Sequence, residues 1–123
     1  MAELKKTLVL GASPNPSRIS FKAVNNLVRA GHPVVAVGQR VGNIGNIAIA
    51  IDNPSVSEID TVTLYLAPEN QPDMYDYILN TISPKRIIFN PGTENAELSS
   101  LAKQKGIETR EECTLLMLLK GIY

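Results

Sequence analysis

The stretch GASPNPSR, residues 11–18, carries the residue types that bind phosphate groups. Gly11 permits a tight backbone turn, and the helix predicted to follow would offer unpaired N–H groups and a partial positive charge. Ser13 and Ser17 add hydroxyl groups, and the planar guanidinium of Arg18 can donate two hydrogen bonds to one phosphate. The loop lacks the Gly-x-Gly-x-x-Gly pattern, so these residues alone leave phosphate binding and a plain strand-to-helix turn equally open.

A second cation, Arg40, follows the predicted second strand in the sequence Gly38-Gln39-Arg40. NAD-binding folds often place Asp or Glu at this point, where the carboxylate holds the ribose hydroxyls. A guanidinium instead suits a ribose phosphate, as in NADP or coenzyme A. A solvated arginine on a loop is the alternative.

The sequence shows no pair of residues suited to nucleophilic or acid–base catalysis. The single histidine, His32, lies before the second strand, at the end opposite the expected site, and Cys113 reads as a small hydrophobic residue. The acidic pairs Glu111–Glu112 and Asp73/Asp76 are typical of solvated surfaces, and one Cys with one His gives no zinc spacing. These observations favour a binding module over an enzyme and predict no metal site, although enzymatic activity stays open.

Alternating strand and helix patterns determine the predicted fold. Apolar runs predict strands at residues 4–10, 34–37, 47–51, 61–66, 86–89 and 107–110. Periodicity and capping residues predict helices from Ser17 to about Ala30, over 70–81, from about Glu94 to Lys105, and over 114–120, with a glycine-rich loop at 38–46. We therefore expect one α/β domain over residues 1–123, a Rossmann-like three-layer fold whose mostly parallel sheet of about five strands has helices on both faces.

In such folds ligands bind at the carboxyl ends of the strands, near the point where the strand order reverses. Four loops are expected there, at residues 11–18, 38–42, 66–70 and 90–94. We call them the first to the fourth loop.

Composition narrows the classes of partner. Lys plus Arg equals Asp plus Glu at 12 each, and a chain without net positive charge is a poor general binder of nucleic acid. No apolar run reaches the ~18 residues of a membrane helix, and we expect no membrane association.

A single cysteine and the lack of a signal-peptide pattern are consistent with a location in the cytoplasm. The apolar run 115–119 either closes the core or faces a second copy of the chain, which leaves a homo-oligomer open.

Several segments together resemble a known family. These are GASPNPSRIS at 11–20, VVAVGQR at 34–40, Asn90-Pro91-Gly92 and Arg110-Glu111-Glu112-Cys113. They are similar to small single-domain CoA-binding proteins, which look like the N-terminal CoA-binding domain of the succinyl-CoA synthetase alpha subunit. The resemblance covers nearly the whole chain, and G-A-S-x-x-P-x-R-x-S is its most specific segment.

The resemblance implies that coenzyme A or an acyl-CoA is bound across the strand ends. The first loop would then contact the CoA phosphates, and the turn at residues 90–92 would lie near the pantetheine arm. The predicted cofactor-binding residues are Gly11, Ala12, Ser13, Ser17, Arg18, Gly38, Arg40, Leu66, Ala67, Pro68, Asn90, Pro91 and Gly92.

The sequence therefore leaves three hypotheses for the function. The first is a CoA or acyl-CoA binding protein that is not catalytic by itself. The second is an NADP-binding enzyme or redox sensor of the same fold, with which Arg40 is also compatible. The third is an interaction protein whose pocket is vestigial.

Overall fold

Short apolar strands build a seven-stranded sheet in the computed structural model, which describes residues 3–123. The strands are β1 (Thr7–Ala12), β2 (Val34–Gly38), β3 (Asn43–Ile44), β4 (Ile47–Ala50), β5 (Thr61–Leu64), β6 (Arg86–Phe89) and β7 (Glu108–Arg110). Their order across the sheet is β3-β4-β2-β1-β5-β6-β7, and only the β3–β4 pair is antiparallel. From β1 the chain builds first towards β2 and then, from β5 onwards, in the opposite direction, so the strand order reverses between β1 and β5.

Helices cover both faces of this sheet. They are α1 (Ile19–Arg29), α2 (Ala96–Gln104) and α3 (Thr114–Lys120), with a π-helical segment at Tyr77–Ile82. One core joins α1 and α3 to the sheet through Val9, Leu27 and Met117. The other joins the π-helical segment and α2 to the opposite face through Leu8 and Leu98. The side chains of β1 alternate between the two cores, as a pleated strand requires. The expected three-layer α/β fold is confirmed.

The sheet has more strands than the expected five or so, because a short hairpin adds to one edge. Asn43 and Ile44 lie inside the predicted glycine-rich loop, but they pair with Ala48 and Ile47. Gly45 has a φ of 58°, which suits the tight turn of such a hairpin. The burial of Ile44 holds this hairpin against the core.

The predicted helix over 70–81 is replaced by less regular turns. Pro68–Asn70 and Pro72–Met74 form 3₁₀ turns before the π-helical segment begins. Pro72 has no N–H to donate, which disfavours a continuous helix here. The wider π turn is accompanied by burial of Tyr77, Ile78, Leu79 and Ile82 together. The chain is thus helical over part of the predicted range, but the helix type differs from the one expected.

Helix ends were predicted less well than helix centres. Ser17 does not cap α1, which begins after Arg18 without a side-chain cap. Asn95 caps α2 by accepting the Leu98 N–H at 3.1 Å, so that helix begins two residues later than predicted. In residues 3–123, no helix combines the length and the apolar character that crossing a membrane requires.

Candidate functional site: a cleft at the carboxyl ends of the strands

All four predicted loops contribute to one cleft of about 630 Å³, which we call the main cleft. It lies outside the carboxyl ends of β1 and β5, where the strand order reverses, and its volume is within the usual range for small-molecule sites. The residues that line it are Gly11, Ala12, Ser13, Ser17, Arg18, Ile19, Ser20, Gln39, Arg40, Tyr65, Leu66, Ala67, Asn70, Pro91, Gly92 and Thr93.

Two glycines allow the strands to approach one another under this cleft. Gly11 has a φ of 97°, and a Cβ added there would lie 2.9 Å from the main-chain carbon and oxygen of Tyr65. A Cβ on Gly38 would lie 2.2 Å from the main-chain oxygen of Ala12, where the β1–β2 register shifts. Any side chain at either position would push β1 away from its neighbour. Both positions therefore shape the base of the first loop.

Asn15 organises the first loop from within. Its Oδ1 accepts the Ser17 N–H at 3.0 Å and the Ser17 hydroxyl at 2.8 Å. The Asn15 N–H is donated in turn to the Ser13 hydroxyl oxygen at 3.1 Å. The Ser17 hydroxyl proton is thus already donated within the loop. The Ser13 hydroxyl accepts a hydrogen bond there, so its own proton is free to be donated to a ligand.

The N-terminus of α1 faces the same cleft and is suited to an anion. The N–H groups of Ile19 and Ser20 lie in the first turn, where an α-helix supplies no acceptor of its own. That turn contains no acidic residue, so no carboxylate of its own competes for the partial positive charge of the helix. A phosphate placed here would meet main-chain N–H donors and a favourable dipole.

Arg18 and Arg40 add two cations to the rim of the main cleft. Both side chains belong to exposed residues, and within residues 3–123 neither guanidinium forms a salt bridge. The main cleft also contains no acidic lining residue in this part of the chain. The cleft is therefore locally positive although the whole chain has a formal net charge of zero.

Tyr65 directly follows β5 and lines the main cleft. Burial raises the pKa of Tyr65 to about 12, and the neighbouring hydroxyls of Thr63 and Thr114 offset only part of this effect. Those two hydroxyls are bonded to each other at 2.7 Å. Tyr65 is therefore protonated at neutral pH and does not supply a base.

A second cleft of about 400 Å³ adjoins the main cleft, and we call it the side cleft. Its walls include Gly38, Ile51 and Met74, with Glu69 and Asp73 as its acidic residues. The two clefts share lining residues, namely Gly11, Gln39, Leu66 and Asn70. The two clefts therefore form one continuous surface.

Most of the predicted site residues meet at these clefts. Those in the main cleft are Gly11, Ala12, Ser13, Ser17, Arg18, Arg40, Leu66, Ala67, Pro91 and Gly92, and Gly38 lies in the side cleft. Pro68 and Asn90 line neither cleft. Pro68 begins a 3₁₀ turn.

Asn90 is buried beneath the fourth loop and holds the fold together there. Its amide nitrogen donates to Thr63 Oγ1 at 2.7 Å and to the Leu64 main-chain oxygen at 2.8 Å. Its Oδ1 accepts the Thr114 N–H at 2.9 Å, which caps the start of α3. The side chain thus supports the Pro91–Gly92 rim instead of facing the main cleft.

Six residues of the main cleft were absent from the prediction. They are Ile19, Ser20, Gln39, Tyr65, Asn70 and Thr93. Gln39, Asn70 and Thr93 lie within the predicted loops and could have been named from them. Ile19, Ser20 and Tyr65 lie one or two residues beyond a loop, so a slightly wider loop definition would have included them. Ile19 and Ser20 are also the first two residues of α1, which the mistaken cap at Ser17 obscured.

His32 and Cys113 line neither cleft. His32 is buried at the opposite edge of the sheet, where its Nδ1 accepts the Lys5 N–H at 2.9 Å. Burial, with help from Lys5 and Arg86, lowers the pKa of His32. Across residues 3–123 there is no cluster of three His, Cys, Asp or Glu side chains arranged to hold a metal ion.

A mostly parallel sheet covered on both faces, with a cation-flanked cleft where the strand order reverses, defines a Rossmann-like fold with a candidate ligand site. The same fold occurs in solved structures. The chain is 43% identical to an uncharacterized protein of known crystal structure, with a TM-score of 0.96 over 99% of this chain and all of the other. A hypothetical protein from Pyrococcus horikoshii OT3 is 23% identical, with a TM-score of 0.82 over 95% of this chain and 83% of its own.

A protein from Thermus thermophilus shares the fold at 19% identity, with a TM-score of 0.82 over 97% of this chain and 91% of its own. No curated protein matches the chain. Residues 5–118 match the family described as the CoA binding domain, which is nearly the whole chain. The protein therefore belongs to the CoA-binding domain family, as its first loop indicated.

Proposed function

We propose that this protein binds coenzyme A or an acyl-CoA in the main cleft. The observation that carries the proposal is the convergence of Arg18, Arg40 and the open N-terminus of α1 on one cleft without acidic lining residues. A CoA ligand combines a diphosphate, a ribose phosphate and a long neutral arm, and the main cleft offers a match for each. Family membership supports the same ligand class.

The diphosphate is assigned to the first loop and the start of α1. The Ile19 and Ser20 N–H groups, the Ser13 hydroxyl and the Arg18 guanidinium are the donors available there. Because Asn15 already fixes the loop through three hydrogen bonds, these donors are held in place before the ligand arrives. Such preorganisation reduces the entropy lost on binding.

Arg40 is assigned to the ribose phosphate. It follows β2, the strand end at which a Rossmann-like fold contacts a ribose, and it lines the main cleft beside Gln39. A guanidinium can donate two hydrogen bonds to a phosphate, whereas the carboxylate typical of NAD sites would repel it. The pantetheine arm would then pass Leu66 and Ala67 towards the Pro91–Gly92 rim.

The groups that the main cleft presents favour a non-catalytic role. The described lining residues include no histidine, cysteine or carboxylate, and Tyr65 stays protonated at neutral pH. An NADP-binding enzyme is the second candidate, because Arg40 suits its ribose phosphate equally well.

Calorimetric titration with CoA, acetyl-CoA, NADPH and NADH separates these candidates at a fixed, moderate salt concentration. Binding of both CoA species with weak or absent NADPH binding is the expected result. Preference for NADPH would replace the proposal by the second candidate. No binding of any of the four compounds would refute both and favour an interaction protein.

Arginine variants test the assignment of each phosphate. Arg18→Ala and Arg40→Ala should each weaken CoA binding by roughly 1–3 kcal/mol, which is about 5- to 150-fold in Kd. Arg29→Ala is the matched control, because Arg29 is an exposed arginine at the far end of the same helix. Unchanged Kd in both cleft variants would place the ligand elsewhere.

CoA lacking its ribose phosphate completes the test. If Arg40 binds that phosphate, the wild-type protein should prefer CoA to dephospho-CoA, and Arg40→Ala should lose most of this preference. Arg18→Ala should weaken both ligands by a similar factor. An undiminished preference in Arg40→Ala would show that Arg40 does not contact the ribose phosphate.

A further inference from the structure

A fully buried side-chain amide joins two of the loops that form the main cleft. Gln71 is 0% exposed and lies between the 3₁₀ turns Pro68–Asn70 and Pro72–Met74. Its Nε2 donates to the Leu66 main-chain oxygen at 2.9 Å and to the Thr93 main-chain oxygen at 2.8 Å. Leu66 and Thr93 both line the main cleft, whereas Gln71 lines neither cleft. The side chain therefore ties the third loop to the fourth from behind their lining residues.

The hydrogen bonds fix the orientation of the Gln71 amide. Both partners of Nε2 are carbonyl oxygens, which accept and cannot donate, so the amide nitrogen must face them. The Gln71 Oε1 then accepts from Asn95 Nδ2 at 2.9 Å. The orientation of Asn95 is fixed in the same way, because its Oδ1 accepts the Leu98 N–H at 3.1 Å. The reversed Gln71 amide would lose all three of its hydrogen bonds.

Two further side chains continue this network to the surface. Asn95 Nδ2 also donates to the Tyr75 hydroxyl oxygen at 2.8 Å, and that hydroxyl donates to Glu97 Oε1 at 2.9 Å. Glu97 is exposed and Tyr75 is partly exposed, so water can replace the bonds of this outer part. Water does not reach Gln71 in the same way, and a partner lost there stays unsatisfied. The spacing of the two loops therefore depends on the buried amide more than on the outer hydroxyl.

The spacing of the third and fourth loops matters because of where they lie. β5 and β6 are neighbouring parallel strands, so the loops that follow them leave the sheet side by side. In the proposed function, the pantetheine arm passes Leu66 and Ala67 of one loop towards the Pro91–Gly92 rim of the other. The two phosphate-bearing parts of CoA are assigned elsewhere, to the first loop and to Arg40. The hydrogen bonds of Gln71 thus support the arm region of the cleft and do not reach the phosphate region.

We propose that Gln71 is a positioning residue, which holds the third and fourth loops at the spacing that the pantetheine arm of CoA or an acyl-CoA requires. This inference rests on the proposed function. Gln71 acts through the main-chain oxygens of Leu66 and Thr93, which it holds in place before the ligand arrives. Preorganised loops reduce the entropy lost on binding. Gln71 therefore determines how strongly the protein prefers CoA to an adenine nucleotide that lacks the arm.

Calorimetric titration with two ligands tests this role. CoA carries the arm, whereas adenosine 3′,5′-bisphosphate keeps the adenine and the ribose phosphate but lacks the arm. Gln71→Met preserves the length of the side chain and removes its three hydrogen bonds. The variant should raise the CoA Kd about 5- to 20-fold and the bisphosphate Kd less than ~2-fold. A residue needed only for stability would not change the ratio of the two Kd values in a protein that far-UV circular dichroism shows to be folded.

Tyr75→Phe is the matched control for Gln71→Met. It removes the two hydrogen bonds of the outer hydroxyl and keeps those of the Gln71 side chain. Its CoA Kd should stay within ~2-fold of the wild-type value. The inference would be overturned if Gln71→Met weakened both ligands by a similar factor, or if its CoA Kd were unchanged or lower. An effect of Tyr75→Phe as large as that of Gln71→Met would also overturn it.

A measurement on the wild-type protein covers the case in which Gln71→Met does not fold. The two Nε2 protons of Gln71 give their own signals in nitrogen-correlated NMR spectra, and both are donated to residues of the main cleft. CoA should shift these signals and slow their exchange with water, whereas the bisphosphate should do neither. Equal effects of the two ligands, or no effect of CoA, would contradict the positioning role.

The failure of this inference can be distinguished from the failure of the proposed function. If the wild-type protein does not bind CoA at all, both are overturned. If CoA binding depends on Arg18 and Arg40 but not on Gln71, only the positioning role is overturned.

Discussion

Replacement of Asn90 by alanine separates a structural role from a ligand-binding one. The substitution removes three buried side-chain hydrogen bonds, to Thr63 Oγ1, the Leu64 main-chain oxygen and the Thr114 N–H. At about 1 kcal/mol each, their loss amounts to about 3 kcal/mol of unfolding free energy, and unsatisfied buried partners would increase it. Because the unfolding free energy of a domain is about 5–15 kcal/mol, the variant should still be folded at room temperature after this loss.

Urea unfolding followed by far-UV circular dichroism measures the loss of stability. Asn80→Ala is the matched control, because Asn80 is exposed and bonds only to surface groups, so its unfolding free energy should change by less than ~0.5 kcal/mol. The second measurement is the CoA Kd of Asn90→Ala under folding conditions, which should change less than ~3-fold because the removed bonds do not face the cleft.

Two results would refute this reasoning about Asn90. A loss of stability below ~1 kcal/mol would mean that the three hydrogen bonds are not important for the fold. A Kd increase above ~10-fold in a variant that remains fully folded would mean that Asn90 contacts the ligand directly.

Three further predictions concern the first loop, the sheet and the buried histidine. Asn15→Ala should raise the CoA Kd in calorimetry by about 3- to 10-fold without changing the unfolding midpoint much, because it frees Ser17 and loosens the loop. Gly38→Ala should lower the thermal midpoint and weaken CoA binding, because its Cβ would collide with the Ala12 main-chain oxygen; an unchanged midpoint would contradict this contact. Because the fold lowers its pKa, His32 binds a proton more readily in the unfolded chain than in the folded one. The contribution of His32 to the unfolding free energy should therefore be complete above pH ~6.5 and decrease below it. Urea melts at several pH values should show that His32→Asn reduces this dependence of the unfolding free energy on pH.

The fold class could be predicted because it depends on local patterns. Continuous apolar runs mark parallel strands buried on both faces, and residues such as Val24 and Leu27 recur at helical spacing in α1. The position of the site then follows from topology, since the loops after β1 and β5 must meet where the strand order reverses. Those two inferences need no knowledge of contacts between distant residues.

Features that depend on which hydrogen-bond or packing partner a side chain takes could not be predicted from the sequence. Ser17 has the right type and position for a helix cap, but its hydroxyl and N–H bond to Asn15 instead. Asn90 has the right position for a ligand contact, but its partners lie 24 to 27 residues away in sequence. The π-helical segment depends on how its buried residues pack against the sheet, which periodicity alone does not reveal.

Asn90 also connects the Pro91–Gly92 rim of the cleft to the start of α3. Its main-chain oxygen holds the Thr93 N–H at 2.9 Å behind the cleft rim, while its side chain supplies the first hydrogen-bond acceptor of α3. We therefore expect a ligand that fixes the Pro91–Gly92 rim to steady the start of α3, a helix whose Leu116 and Leu119 are exposed. Occupancy of the cleft should slow hydrogen exchange at the first amides of α3. The exchange rate of these amides would then indicate whether a ligand is bound.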